Sequence, residues 1–194
     1  MMTDQELDAI VDRYFNESER IAQAFFDKES ERLAHACYQM ARRFHHQGRI
    51  WTFGDGFWTT DAQHVAVEFV HPAIVGNKAL PGISLSNNNA LLTSPDSDMK
   101  YAYGLKRLAK SQDIALGFST DGQTRSILQG LAQAKAMGML TLGLSGAPGF
   151  KESSADFIFT VNSPDPLLIQ ETHELVCHVF YELVHVFLDQ EVLL

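Results

Sequence analysis

Residues 50–68 read IWTFGDGFWTTDAQHVAVE, and their reading decides the fold. The stretch opens with the short apolar run 50–53, turns through Gly54-Asp55-Gly56, and continues as a helical pattern over about 58–70. A buried strand passing through a glycine turn into a helix is the repeating step of an α/β fold. Outward from it, four more apolar runs fit strands of a parallel sheet buried on both faces: 82–85, 113–118, 139–144 and 156–161. Helical periodicity separates or follows them at about 99–110, 123–137 and 165–190. Two amphipathic segments precede the first strand. Residues 4–25 space Leu7, Ile10, Val11, Tyr14 and Phe15 helically, and residues 29–47 do so with Leu33, Cys37, Met40, Ala41 and Phe44. The expectation is a three-layer αβα sandwich on a five-stranded parallel sheet, led by two helices and closed by a long one. The last helix is apolar on most faces, which points to burial against further copies of the chain.

With 194 residues, the chain is expected to form one domain spanning 1–194. A net charge of −9 excludes a general nucleic-acid footprint, and no apolar run reaches a membrane span. The acidic, amphipathic N-terminus is unlike a signal peptide, and Cys37 and Cys177 lack metal or redox spacing. A cytoplasmic protein with reduced thiols is expected.

Ligands of such a sheet sit beyond the carboxyl ends of the strands, so the strand-to-helix junctions matter most. The junction 119–124 reads STDGQT. Ser119, Thr120 and Thr124 offer hydroxyls, Gly122 permits close approach, and the following helix N-terminus offers amides, which together make an anion site. The alternative is simple N-capping. Asp121 argues against an anion. His64 and Glu68 stand four apart on one helical face, as a base with its partner, as two metal ligands, or as a surface ion pair of about 0.3–0.5 kcal/mol. The last helix carries Gln170, Glu171, His173, Glu174, His178, Glu182 and His185 among apolar neighbours. Its HELVCH is not a zinc-protease motif, because the second histidine falls five residues on and leaves the ligand face.

In this order the pieces resemble the sugar isomerase (SIS) domain family, and within it the phosphoheptose isomerases. Residues 54–68 are similar to the family's GNGGSAADAQHFAAE, residues 117–128 to GISTSGNSxNVL, and residues 169–184 to IQExHxxxxHxxxExI. The resemblance covers nearly the whole chain and implies a flavodoxin-like SIS fold. It implies an aldose–ketose isomerase converting sedoheptulose 7-phosphate, or a related sugar, through an enediol. By position, Glu68 matches the catalytic base and His178 its acid/base partner. His64, Glu68, Gln170 and His178 match a zinc site. Ser119, Thr120 and Thr124 match phosphate-binding hydroxyls, and Asp55, Gly56 and Asp96 match sugar contacts. Phe57, Glu68, Asp121 and Gln170 join them in the expected substrate site. The resemblance also implies homotetramers with shared sites.

The chain departs from the family at the phosphate end. Asp55, Phe57 and Trp58 stand where the family has Asn, Gly and Ser, and Asp121 stands where it has Ser. The expectation is that the ligand's phosphate end has changed or gone, with Trp58 stacking on a sugar face or closing the pocket. Asp55 and Asp121 then bind hydroxyls or an ammonium group. The alternative function is a non-catalytic SIS protein that binds a carbohydrate derivative or docks on a partner.

Overall fold

A computed structural model describes residues 2–94 and 96–190, so the expected 1–194 domain extends past the described residues at both ends. The chain starts with α1 (Asp4–His45), then β1 (Ile50–Gly54), α2 (Thr59–Val70), β2 (Gly82–Ser84), α3 (Asn89–Leu92) and α4 (Lys100–Leu108). It continues with β3 (Ile114–Ser119), α5 (Arg125–Ala136), β4 (Leu140–Gly146), β5 (Phe157–Val161) and α6 (Pro166–Asp189). All five strands pair in parallel in the order β2-β1-β3-β4-β5, the flavodoxin-like order.

Alternation along the strands feeds two cores. Ile50, Ile114, Leu116, Phe118, Leu142 and Leu144 face α1, α2 and α6. Trp51, Phe53 and Ala115 face α4 and α5, where Tyr101, Leu105, Ile127 and Leu131 cover them. At the amino end of β3, the fully buried Asp113 accepts bonds from the Arg49 amide (3.0 Å), the Lys110 amide (2.9 Å) and Trp51 Nε1 (2.8 Å).

The N-terminus corrects the expectation of two helices. Residues 4–45 form one helix of 42 residues, begun by a Thr3–Glu6 capping box. The polar stretch between the two amphipathic segments contains no Gly or Pro to break it. Its Glu29 is buried and takes ion pairs from Lys28 (3.0 Å) and Arg32 (2.5 Å), so the polar residues stay helical. Leu7, Ile10, Val11, Tyr14 and Phe15 are exposed; the Tyr14 hydroxyl donates to Glu171 of α6 at 2.8 Å, and the α1 side chains of the core begin at Ile21. Cys37 and Cys177 are free and buried, and burial pushes the Cys37 thiol up to about 12. No helix among the described residues is long and apolar enough to cross a membrane.

Candidate active site

α2 buries Ala62, Val65, Ala66 and Phe69 and turns His64 and Glu68 toward α6. There the two elements, 110 residues apart in sequence, meet through ionisable groups. Glu68 Oε1 lies 3.3 Å from His64 Nε2 and 3.3 Å from His178 Nε2. The two imidazoles stand 5.4 Å apart, almost perpendicular. The other nitrogen of His64, Nδ1, is in contact with Glu174 Oε2. Burial raises the Glu174 carboxyl; Asp61 adds to the rise, and His64 and His178 oppose it.

His64, Glu174 and His178 each present one ligand atom within 4.8 Å of the others. Two imidazoles and a carboxylate suit a divalent metal such as zinc. This cluster lacks two of the four expected ligands, Glu68 and Gln170, and brings in Glu174. The Gln170 amide nitrogen donates to Asp61 Oδ1 (2.5 Å) and to Thr60 Oγ1 (3.1 Å), tying α6 to the first turn of α2. Glu174, one turn on, reaches His64 instead. The spacing Gln170, Glu174, His178 places all three on one helical face, and that pattern could have flagged Glu174 from sequence. Beneath them, His173 and Asp61 are almost fully buried, with Nδ1 and Oδ2 3.6 Å apart.

The loop end of the site lies at the carboxyl ends of β1 and β3, which pair at Gly54 and Phe118. Asp55 is not free to meet a ligand as expected. Its carboxylate accepts bonds from Lys100 Nζ, Ser126 Oγ and, at 2.9 Å, the Tyr101 hydroxyl. Burial alone raises the Asp55 carboxyl; the Lys100, Ser126 and Tyr101 bonds outweigh it and hold it below its ordinary value. Lys100 was invisible to motif reading, because α4 brings it in from a segment without a recognisable pattern.

Trp58 does not offer its face to a sugar. It is 3 % exposed, lies 5.0 Å from the His173 ring, and donates from Nε1 to Thr120 Oγ1 at 2.6 Å. It fills space between the loop, Thr120 and His173. Phe57 beside it is exposed, and Gly56 takes a positive φ of 57°.

Ser119 and Thr124 share a hydroxyl bond of 3.0 Å at the N-terminus of α5. The Gly122 amide donates to Ser119 Oγ (3.0 Å), and the Gln123 amide to Asp121 Oδ1 (2.9 Å). Asp96 caps the turn Ser97–Met99 through the Asp98 amide at 3.0 Å and is exposed.

Comparison with known proteins adds relatives to this geometry. The family model described as SIS domain matches residues 13–146. A phosphoheptose isomerase of Thermodesulfovibrio yellowstonii is 33% identical over 92% of this chain and 92% of its own length. That of Desulfovibrio desulfuricans is 31% identical over 98% of this chain and 93% of its own. The solved phosphoheptose isomerase of Francisella tularensis superposes with a TM-score of 0.83 at 24% identity, covering 95% of this chain and 99% of that one.

Proposed function

The chain belongs to the SIS-domain family, and on that premise we propose that it is a phosphoheptose isomerase whose proton-transfer groups are Glu68 and His178. The observation that carries the assignment is one carboxylate oxygen, Glu68 Oε1, shared by two imidazoles at 3.3 Å each. Moving a carbonyl from C2 to C1 needs a base that removes a proton from C1 and returns it to C2. A half-buried carboxylate can do both. A neighbouring imidazole carries the matching proton between O1 and O2, so the enediol forms and collapses without net proton loss. His178 suits that task because its Nε2 faces the base and its side chain is 55% exposed toward an incoming sugar.

His64, Glu174 and His178 are the residues that would hold zinc. When bound, the metal would polarise the carbonyl and stabilise enediolate charge. Gln170, fixed by Asp61 and Thr60, holds α6 against α2 and so keeps Glu174 and His178 in register with His64. Ser119, Thr120, Thr124 and the start of α5 supply the phosphate end, and Gly56, Phe57, Asp96 and Asp121 the sugar contacts, with the Asp55 carboxylate held by Lys100, Ser126 and Tyr101. We also infer a single SIS domain in a cytoplasmic homotetramer with shared sites. The exposed Leu7, Ile10, Val11 and Phe15 of α1, with Leu167 and Leu175 of α6, support the self-association.

A coupled isomerase assay on sedoheptulose 7-phosphate tests the reading. Glu68→Gln keeps size and polarity while removing the base, so turnover should fall by about 100-fold or more. Unchanged turnover would remove Glu68 as the base. The filled loop favours a second reading, a sugar-derivative binder without turnover, because the Trp58 indole packs against Thr120 and Asp121 adds a charge that opposes a phosphate. Wild-type protein that binds the sugar phosphate and never isomerises it would establish that reading.

A further inference from the structure

We propose that Lys100 is the residue that receives the anionic end of the sugar phosphate, a specificity role that rests on the isomerase reading above. The loop 119–124 has already spent much of its donor capacity on itself. One hydroxyl proton of the Ser119–Thr124 pair is used between them, while Thr120 Oγ1 accepts from the Trp58 indole and keeps its own proton. The Gly122 and Gln123 amides are directed at Ser119 and Asp121. Asp121 then adds a negative charge that opposes a phosphate. What the loop leaves is the Thr120 proton and the first turn of α5, whose amides lack partners within the helix.

Lys100 stands beside that turn. Its ammonium is bound by Asp55, and the other oxygen of Asp55 is bound by Ser126 in the first turn of α5. The three residues therefore line the crevice between the ends of β1 and β3, where the strand order reverses and this fold class holds ligands. The Lys100 side chain is 15% exposed and its ammonium lies 4.7 Å from the Tyr101 ring centre, so it is held in place rather than swinging in solvent. An ammonium carries three protons, and Asp55 Oδ1 takes one of them. The other nearby cation, Arg125, is 78% exposed and paired with Asp98.

This arrangement answers how a loop carrying Asp55 can belong to a sugar-phosphate enzyme. Asp55 anchors Lys100 and does not bind the sugar. Its charge is cancelled by the ammonium, and the pair stands next to the positive end of α5. Asp55 also competes with the ligand for the same ammonium, which fixes the sign of its removal: losing the carboxylate should strengthen anion binding.

Isothermal titration with inorganic phosphate tests this without relying on turnover. Lys100→Met should weaken phosphate binding by roughly 10- to 100-fold, the size expected for one charge-assisted bond, and Lys100→Arg should restore much of it. Asp55→Asn should tighten it several-fold. The double variant Asp55→Asn/Lys100→Met removes both charges together, so weak binding there with a normal unfolding curve separates lost recognition from misfolding. In kinetics with sedoheptulose 7-phosphate, the Lys100→Met loss should fall on KM rather than kcat. Equal phosphate affinity in wild type and Lys100→Met, or no phosphate binding by wild type, would overturn the proposal and leave the pair purely structural. Lys100-dependent phosphate binding in a protein with no isomerase turnover would uphold Lys100 and remove the isomerase reading.

Discussion

Replacing Trp58 is the most direct test of how the loop end is built. The indole is 3 % exposed, so nearly its whole surface, about 200 Å² for a tryptophan, is taken out of water. At about 25 cal/mol per Å² that amounts to about 5 kcal/mol as an upper bound. The bond from Nε1 to Thr120 contributes a further ~1 kcal/mol, and partial collapse around a smaller side chain returns some of the loss. Trp58→Ser is therefore expected to cost about 3–5 kcal/mol. Trp58→Phe keeps most of the packing and loses the N–H donor, for about 1–1.5 kcal/mol. For a chain of this size each ~1 kcal/mol moves Tm by ~2–4 °C, so the two variants should separate clearly. Urea unfolding followed by far-ultraviolet circular dichroism, at one fixed protein concentration, measures both. Should Trp58→Ser fall within about 1 kcal/mol of wild type, or Trp58→Phe cost as much as Trp58→Ser, the indole is not the packed, bonded plug described here.

Three further outcomes are expected. Gly122→Ala should lower stability and loosen the 119–124 loop, because φ is +75° and a Cβ there would lie 2.3 Å from the Phe150 backbone nitrogen; a variant as thermostable as wild type would contradict that crowding. Glu174→Gln should weaken zinc binding at least ~10-fold in competition with a chromophoric chelator, with Gln170→Ala much closer to wild type; the opposite ranking would restore Gln170 as the ligand. Asp55 has its carboxyl held below the ordinary value, so its contribution to stability is complete above that value and disappears as pH falls through the folded-state pKa. Acid unfolding should therefore begin at higher pH in wild type than in Asp55→Asn measured relative to its own neutral-pH stability, and parallel acid limbs would count against the Asp55 bonds.

Much of the sheet could be read directly. β1 and β3 begin within a residue of the apolar runs that announce them, because both faces are covered and every strand position is apolar or small. The α1 break was misread because polar residues 27–30 interrupt the apolar stripe. That interruption hides a buried Glu29 held by the exposed Lys28 and Arg32 of the same helix, which reads as a linker when the burial of Glu29 is unknown. At the site, the spacing of His64 and Glu68 was enough to place them on one face. The orientation of Gln170 was not legible, since it depends on Asp61, which is 109 residues away. The same holds for Asp55: a carboxylate in a ligand turn reads as a binding group until Lys100 and Ser126 are seen to occupy it.

Asp113 carries an implication for how this scaffold tolerates change. Its carboxylate ties the starts of β1 and β3 together from below, receiving the Arg49 and Lys110 amides and the Trp51 indole. Asp55, Ser119 and Thr124 lie at the opposite tips of those strands, while Glu68 sits one residue before Phe69, whose carbonyl accepts from the Leu80 amide near the start of β2. That footing and the loop end of the site are thus a strand-length apart, so damage to one should add to, and not multiply, damage to the other. The loops above the strand tips can therefore change while that footing keeps β1 and β3 in register.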